Sequence, residues 1–386
     1  MTETAFRWIA SERDLAQAAR ELDDQPRIAF DTEFMRVSTL LPKLALLQIH
    51  CTQGALLIDP LALDDLAPLE QTFADPRPKV AHSVSEDLIA LSTRLPQPLG
   101  QLFDTQIAAA FVGFGYGIGY QSLVRDALGV ELPKDQTRSD WTRRPLGAQQ
   151  LAYAAADVEH LAPLHDLLGE RLLASGRLTW CEEECRRMLS GSTLRSPVGA
   201  DAHWRLPSAW RHDSAAQVRM RRLLIWREDT ALRLDKPRPW IIDDPTIVAL
   251  ATASSWDTDS IGSAVRGLRA CPRSEYAALA ELLVATATQG ETASLRLAPA
   301  PPDRATEKRT NALRDAVAKR ALELDLPAPL VASRRLLDAA IAGHPLDELR
   351  GWRAQVLGDL ITANTDVVIP NPDSLSPLVA PAQDGP

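Results

Sequence analysis

In the segment Arg27-Ile28-Ala29-Phe30-Asp31-Thr32-Glu33-Phe34 an apolar run ends on two carboxylates. The first half is apolar enough for a buried strand, and residues two apart on a strand share a face. Asp31 and Glu33 therefore point the same way from a partly desolvated position. An unpaired buried carboxylate costs on the order of several kcal/mol, so something positive is expected between them. A divalent cation meets that need, because hard metals take oxygen ligands and keep some water. Taken alone, Asp-x-Glu also fits a strand end with two solvated acids, and only further carboxylates downstream can decide between the two.

Outward from this strand, Leu44 to His50 and Ala55 to Asp59 read as two more strands bounded by turn residues, which suggests an antiparallel meander. From Leu61 the pattern alternates: helix 63–73, strand 79–82, helix 85–94, strand 102–104 and helix 105–111. Such alternation implies a partly parallel sheet flanked by helices. The expected fold class is α/β, a mixed sheet with helices on its faces. Upstream, residues 12–22 have helical spacing. The glycine-rich stretch Gly113 to Tyr120 lacks the Gly-Lys-Ser/Thr ending of a phosphate loop and reads as a connector. A helix follows over 121–128, then a polar loop over 133–147 and one long helix from Ala148 to about Leu168.

Residues 190–207 are rich in Ser, Gly and Pro and look like a linker. Beyond them, 209–284 is helical in pattern, a Pro-rich boundary follows near 293–302, and a second helical unit spans about 304–362. At 386 residues the chain suggests two or three domains. Its net charge of -9 argues against wholesale electrostatic attachment to nucleic acid or an anionic membrane, so a polyanion must be met by a local basic patch or a metal. The N-terminus lacks the features of a secretory signal and no apolar run approaches membrane-spanning length, so a cytoplasmic protein is expected. Cys51, Cys181, Cys185 and Cys271 read as reduced thiols. Cys181 and Cys185 lie one helical turn apart, but no second ligand pair is near them to make a zinc site.

Two more acids stand in telling places. Ser85 can cap a helix that has Asp87 in its first turn, where the backbone dipole favours negative charge. Tyr153-Ala154-Ala155-Ala156-Asp157 stacks a phenol and a carboxylate on one helical face, separated by small residues that permit close packing on a sheet. Asp31, Glu33, Asp87 and Asp157 are about the number of carboxylates needed to hold two divalent ions, an arrangement suited to in-line phosphodiester hydrolysis. A phenol titrates near 10, so Tyr153 suits the orienting of a hydroxide better than general-base work.

Asp31-Thr32-Glu33, Asp87 in its His82-to-Leu88 context and Tyr153-x-x-x-Asp157 resemble the three motifs of the DEDD exonuclease superfamily, in the subgroup with tyrosine in the last motif. The histidine subgroup would have His five residues before the last Asp, where this chain has Ala152. Lys134, Ser139-Asp140-Trp141, Arg144-Pro145-Leu146 and Gln150 to Val158 are similar to the ribonuclease D family. Leu224 to Glu228, Asp235-Lys236-Pro237-Arg238 and Ile242-Asp243-Asp244 resemble the helicase and ribonuclease D C-terminal (HRDC) domain. Val331 to Arg335 and Leu349 to Arg353 are a weaker match to a second one. The resemblance implies a ribonuclease H-like exonuclease domain over 1–190, a linker over 191–207, an HRDC domain over 208–292, a second HRDC-like domain over 303–369 and a disordered tail over 370–386.

It also implies 3′-5′ exoribonuclease action that releases nucleoside 5′-monophosphates, and a role in trimming 3′-extended transfer RNA precursors. By the same resemblance Asp31, Glu33, Asp87 and Asp157 bind two Mg2+ or Mn2+ ions and Tyr153 orients the water. A monomer with RNA as its partner is expected. For RNA contacts the candidates are Phe34, His82, Lys134, Arg143 and Arg144 near the acids, and Arg221 and Arg222 in the stretch 205–240, which holds nine Lys or Arg against four Asp or Glu. Trp210, Trp226 and Trp240 lie in that stretch, and helical spacing with Leu223 puts Trp226 in the core. Two rivals are a DNA 3′-5′ exonuclease, which the same metal core would serve, and a non-catalytic RNA-binding scaffold.

Overall fold

The computed structural model describes residues 5–132, 139–191, 198–344, 346 and 349–365. Lys134, residues 192–197 of the expected linker and the expected tail lie outside them. The chain divides into two compact units, one of residues 1–33, 44–192 and 302–386, the other of 34–43 and 193–301.

The first unit is built on a six-stranded sheet: β1 (Phe6–Ile9), β2 (Ile28–Met35), β3 (Lys43–Cys51), β4 (Gly54–Ile58), β5 (Lys79–Ala81) and β6 (Leu102–Asp104). Their order across the sheet is β1-β4-β3-β2-β5-β6. β3 and β4 are antiparallel, as the meander requires, and β2–β5 and β5–β6 are parallel. β1 is a correction to the reading above, which assigned no strand there. Its four residues pair in parallel with Ala55 to Ile58 of β4, and that pairing rather than any local pattern makes it a strand. Gly54 shows how close the approach is: its φ is +116°, and a Cβ there would lie 2.1 Å from the Ala5 carbonyl oxygen.

Ile28, Ala29 and Phe30 are at most 2% exposed, so the acid strand starts deep in the core, where Phe30 meets Phe73 edge-on at 5.3 Å. Lys79, which opens β5, is fully buried. Its Nζ donates to Asp75 Oδ1 at 2.8 Å and to the carbonyls of Asp75 and Arg77.

The long helix expected from Ala148 is two helices, Ala148–Glu159 and Leu161–Ala174, broken at His160. Pro163, which has no N–H to give, sits in the first turn of the second helix, where none is needed. Ala154, Ala155 and Ala156 are buried, and their small side chains let the first helix lie close on β4.

The 302–365 region falls in the same compact unit as the sheet. Trp352 stacks on Trp180 with centroids 5.3 Å apart, and its Nε1 donates to Glu184 Oε1 at 2.7 Å. Arg353 donates to the carbonyls of Leu330 and Val331.

The second unit is helical. Helix Ser214–Leu234 is its spine, and Met220, Leu223 and Leu224 pack with Ile241, Ile247, Leu250, Ile261 and Leu279. Trp226 is partly buried against this core. Leu40, from the segment that leaves the acid strand, is part of the same core. The Leu40 and Leu41 N–H groups both donate to Asp235 Oδ1, at 3.0 and 2.9 Å. Among the described residues no helix is long and apolar enough to cross a membrane.

Candidate active site around Asp31

Asp31 and Glu33 stand on β2, Asp87 in the first turn of helix Ser85–Ser92, and Tyr153 and Asp157 on helix Ala148–Glu159. The start of the Asp87 helix is not held as expected. Its cap position is Val84 and no side chain caps it, so Ser85 does not serve. The carboxylate of Asp104, at the end of β6 and 1% exposed, accepts from the N–H groups of Ser83 and Val84 just before the helix. It also accepts from Gln106 and Ile107, so one buried acid ties together the starts of two helices. Ser83 takes φ +57° to make that turn. Sequence reading noted Asp104 only as a strand end; an acid directly before a helix was the available signal.

The four acids are brought into one electrostatic neighbourhood. Asp31 has its carboxyl well above the usual range, first through burial and then through Asp87, Asp157 and Glu33, all of like sign. Asp87 is 8% exposed. Burial pushes its carboxyl up to about 7 against the opposing pull of the Thr32 hydroxyl, which donates to Asp87 Oδ1. Tyr153 faces Trp141, a fully buried residue, with ring centroids 6.1 Å apart.

Tyr120 belongs to this neighbourhood and was not picked out from sequence. Its phenol is pushed up by burial and then by Asp157, with a smaller contribution from Asp31. Its oxygen accepts from His160 N–H at 3.2 Å and lies 3.4 Å from the Ala156 carbonyl, which pins the end of the helix that carries Asp157.

Hard oxygen donors in this number suit divalent cations, and the mutual repulsion that raises Asp31 is what such charge would relieve. As the side chains lie, no group of three or more His, Cys, Asp or Glu among the described residues has the spacing to hold an ion. The donor set fits by chemistry and charge.

Several expected RNA contacts have other work. His82 is committed on both ring nitrogens, Nε2 to the Ile118 carbonyl at 3.0 Å and Nδ1 to the Thr105 hydroxyl at 2.9 Å. Arg144 is clasped by Asp59, and Arg222 by Glu291 together with the carbonyls of Leu282, Ala285 and Thr286. Arg221 is half-buried and donates to Ser294. The His82 ring and the guanidinium groups of Arg144 and Arg222 are thus engaged within the protein. Phe34 is half-buried near the end of β2. Arg143 keeps an exposed side chain, 84% accessible and 3.3 Å from Asp140.

Residues 6–173, which carry the sheet and all four acids, match the family model described as 3′-5′ exonuclease, so the class of protein is a nuclease. The chain is 40% identical to ribonuclease D of Xanthomonas oryzae pv. oryzae over 91% of its length and 96% of the relative's. It is 33% identical to ribonuclease D of Pseudomonas paraeruginosa over 94% and 98%. Among solved structures it resembles Escherichia coli RNase D with a TM-score of 0.80 and 28% identity, over 93% of this chain and 98% of that one. The chain belongs to the ribonuclease D family. It is a 3′-5′ exoribonuclease, with a ribonuclease H-like sheet domain and a helical C-terminal region of the HRDC kind.

Proposed function

We propose that Asp31, Glu33, Asp87 and Asp157 hold two divalent cations, Mg2+ or Mn2+, and that the enzyme removes nucleoside 5′-monophosphates from the 3′ ends of structured RNA, transfer RNA precursors among them. The observation that carries the metal assignment is the raised carboxyl of Asp31, pressed by three other acids. Bound there, divalent ions would lower the pKa of an attacking water and offset charge on the phosphate. Asp31 and Glu33 fix two oxygen donors on one rigid strand. Asp87 and Asp157 come from separate helices whose starts and ends are tied by Asp104 and Tyr120, so the donor positions are set by buried hydrogen bonds. Tyr153, one turn before Asp157, has its ring set beside the buried Trp141, and its hydroxyl orients the water for in-line attack. The E. coli relative is described as an exoribonuclease involved in structured RNA processing, which supports the substrate class.

The test is digestion of a 3′-extended transfer RNA, its mature form and a matched DNA, each with Mg2+, Mn2+ or chelator. Stepwise release of 5′-monophosphates from the extension, stopping near the mature end and silent in chelator, is expected. Equal activity in chelator would reject the metal assignment, and equal trimming into the mature body would reject the precursor role.

A further inference from the structure

His82 directly follows β5, and its ring joins two other segments of the sheet unit. Nε2 lies 3.0 Å from the Ile118 carbonyl, and Nδ1 lies 2.9 Å from the hydroxyl of Thr105, the first residue of helix Thr105–Phe111. A carbonyl oxygen only accepts, so Nε2 carries a hydrogen. Burial holds the imidazole below its usual pKa against the pull of Asp104, so at neutral pH the ring is uncharged and Nδ1 is bare. The Thr105 hydroxyl, which also lies 3.1 Å from the Ala81 carbonyl, donates to it.

Ile118 stands between Gly117, at φ +71°, and Gly119, and a Cβ on either glycine would meet nothing within 4 Å among the described residues. Gly119 begins helix Tyr120–Leu128 without a side-chain cap. Packing at these two glycines therefore does little to place the helix start. The Ile118 carbonyl is instead held by two donors, His82 Nε2 and Gln106 Nε2, each at 3.0 Å. Two residues on, the Tyr120 ring lies against the imidazole with centroids 5.6 Å apart. Its hydroxyl reaches Ala156 and His160, at the end of the helix that carries Asp157. We propose that His82 is a positioning residue for the exonuclease reaction: as the Nε2–H tautomer it clamps Ile118, sets the Tyr120 ring, and through the Tyr120 hydroxyl fixes where Asp157 stands. This role requires no contact with RNA, and it rests on Asp157 belonging to the catalytic site as proposed above.

The experiment measures kcat and KM for 5′-monophosphate release from a single-stranded RNA by the full chain carrying His82→Asn, His82→Gln, Tyr120→Phe, or His82→Asn together with Tyr120→Phe. A thermal melt accompanies each. Glutamine places an amide N–H where Nε2–H stood, whereas asparagine reaches only the Nδ1 position. His82→Asn should lower kcat about 10- to 100-fold with KM within a few-fold, the loss typical when a group that orients metal-site ligands is removed. His82→Gln, melting at a similar temperature, should recover most of kcat. The paired variant should fall no more than a few-fold below Tyr120→Phe, because the two residues act along one path. Equal losses in His82→Asn and His82→Gln, or losses that multiply in the paired variant, overturn the proposal. Should the variants not fold, nitrogen NMR of the unaltered enzyme decides: the His82 ring, recognised by its contact with Tyr120, should carry its hydrogen on Nε2, and a hydrogen on Nδ1 overturns the clamp. Unchanged kcat in Asp157→Ala would instead overturn the metal assignment on which the proposal rests.

Discussion

Arg144 and Asp59 form a two-pronged ion pair, with Nε 2.7 Å from Oδ2 and Nη2 2.6 Å from Oδ1, and the Asp59 side chain is only 4% exposed. The same guanidinium donates to the carbonyls of Ala45 and Trp141, so it joins β3, the end of β4 and the loop before the Tyr153 helix. Breaking such a pair strands a buried charge, and Arg144→Ala should lower unfolding free energy by about 3–5 kcal/mol in urea titrations. Arg144→Lys should restore little, because an ammonium cannot supply the fork. Adding Asp59→Asn to Arg144→Ala should recover part of the loss.

Removing the charge of Asp31 should abolish catalysis and stabilise the fold together. Its carboxyl is raised by burial and by three like-charged neighbours, so Asp31→Asn relieves repulsion while it deletes an essential oxygen charge. The expected outcome is a melting temperature above that of the parent. Thermal melting in chelator reads it. A variant that melts lower than the parent would show that the acids do not crowd one another.

Arg143 and Arg222 should separate cleanly. Arg143→Glu, on an exposed side chain, should weaken RNA association and reduce its salt slope by about one with the melting temperature unchanged. Arg222→Ala breaks an ion pair and leaves several carbonyls without a donor, so the helical unit should lose about 2–3 kcal/mol. Circular dichroism melts alongside filter binding distinguish the two.

Asp75 should add acid sensitivity. Burial alone would push its carboxyl up, but hydrogen bonds from Arg77 and Lys79 prevail and bring it down to about 2. A carboxyl that titrates lower in the folded state than in the unfolded one, where it titrates near 3.9, contributes stability that is complete above about pH 5 and lost as pH falls toward 2. After solvent screening, the contribution is about 1–2 kcal/mol. Unfolding free energies from urea titrations at pH 5 and pH 3 should differ less in Asp75→Asn than in the parent, by about half of that amount, because the rest is lost only below pH 3.

The acid strand, the β3–β4 hairpin and the alternation that follows were legible because their apolar periodicity is local and strong. β1 was not, since four residues carry too little pattern and its partner, β4, lies some fifty residues away. The break at His160 was also hidden, because apolar spacing continues across it while the backbone does not. Among charged residues the same limit appears. Arg143 and Arg144 are adjacent and identical in type, and only the location of Asp59 makes one a bolt and leaves the other in solvent.

The amino-acid order by itself determined the identity of the acids, their faces on strand and helix, and the family they signify, because side-chain chemistry and the periods of two and 3.6 residues are properties of a short segment. Tertiary structure alone decided which carboxylates press on Asp31, that Asp104 and Tyr120 secure the helices carrying the others, and that residues 34–43 join a helical core remote in sequence. Those outcomes depend on distances between segments far apart along the chain, and such distances are set only when the whole core packs.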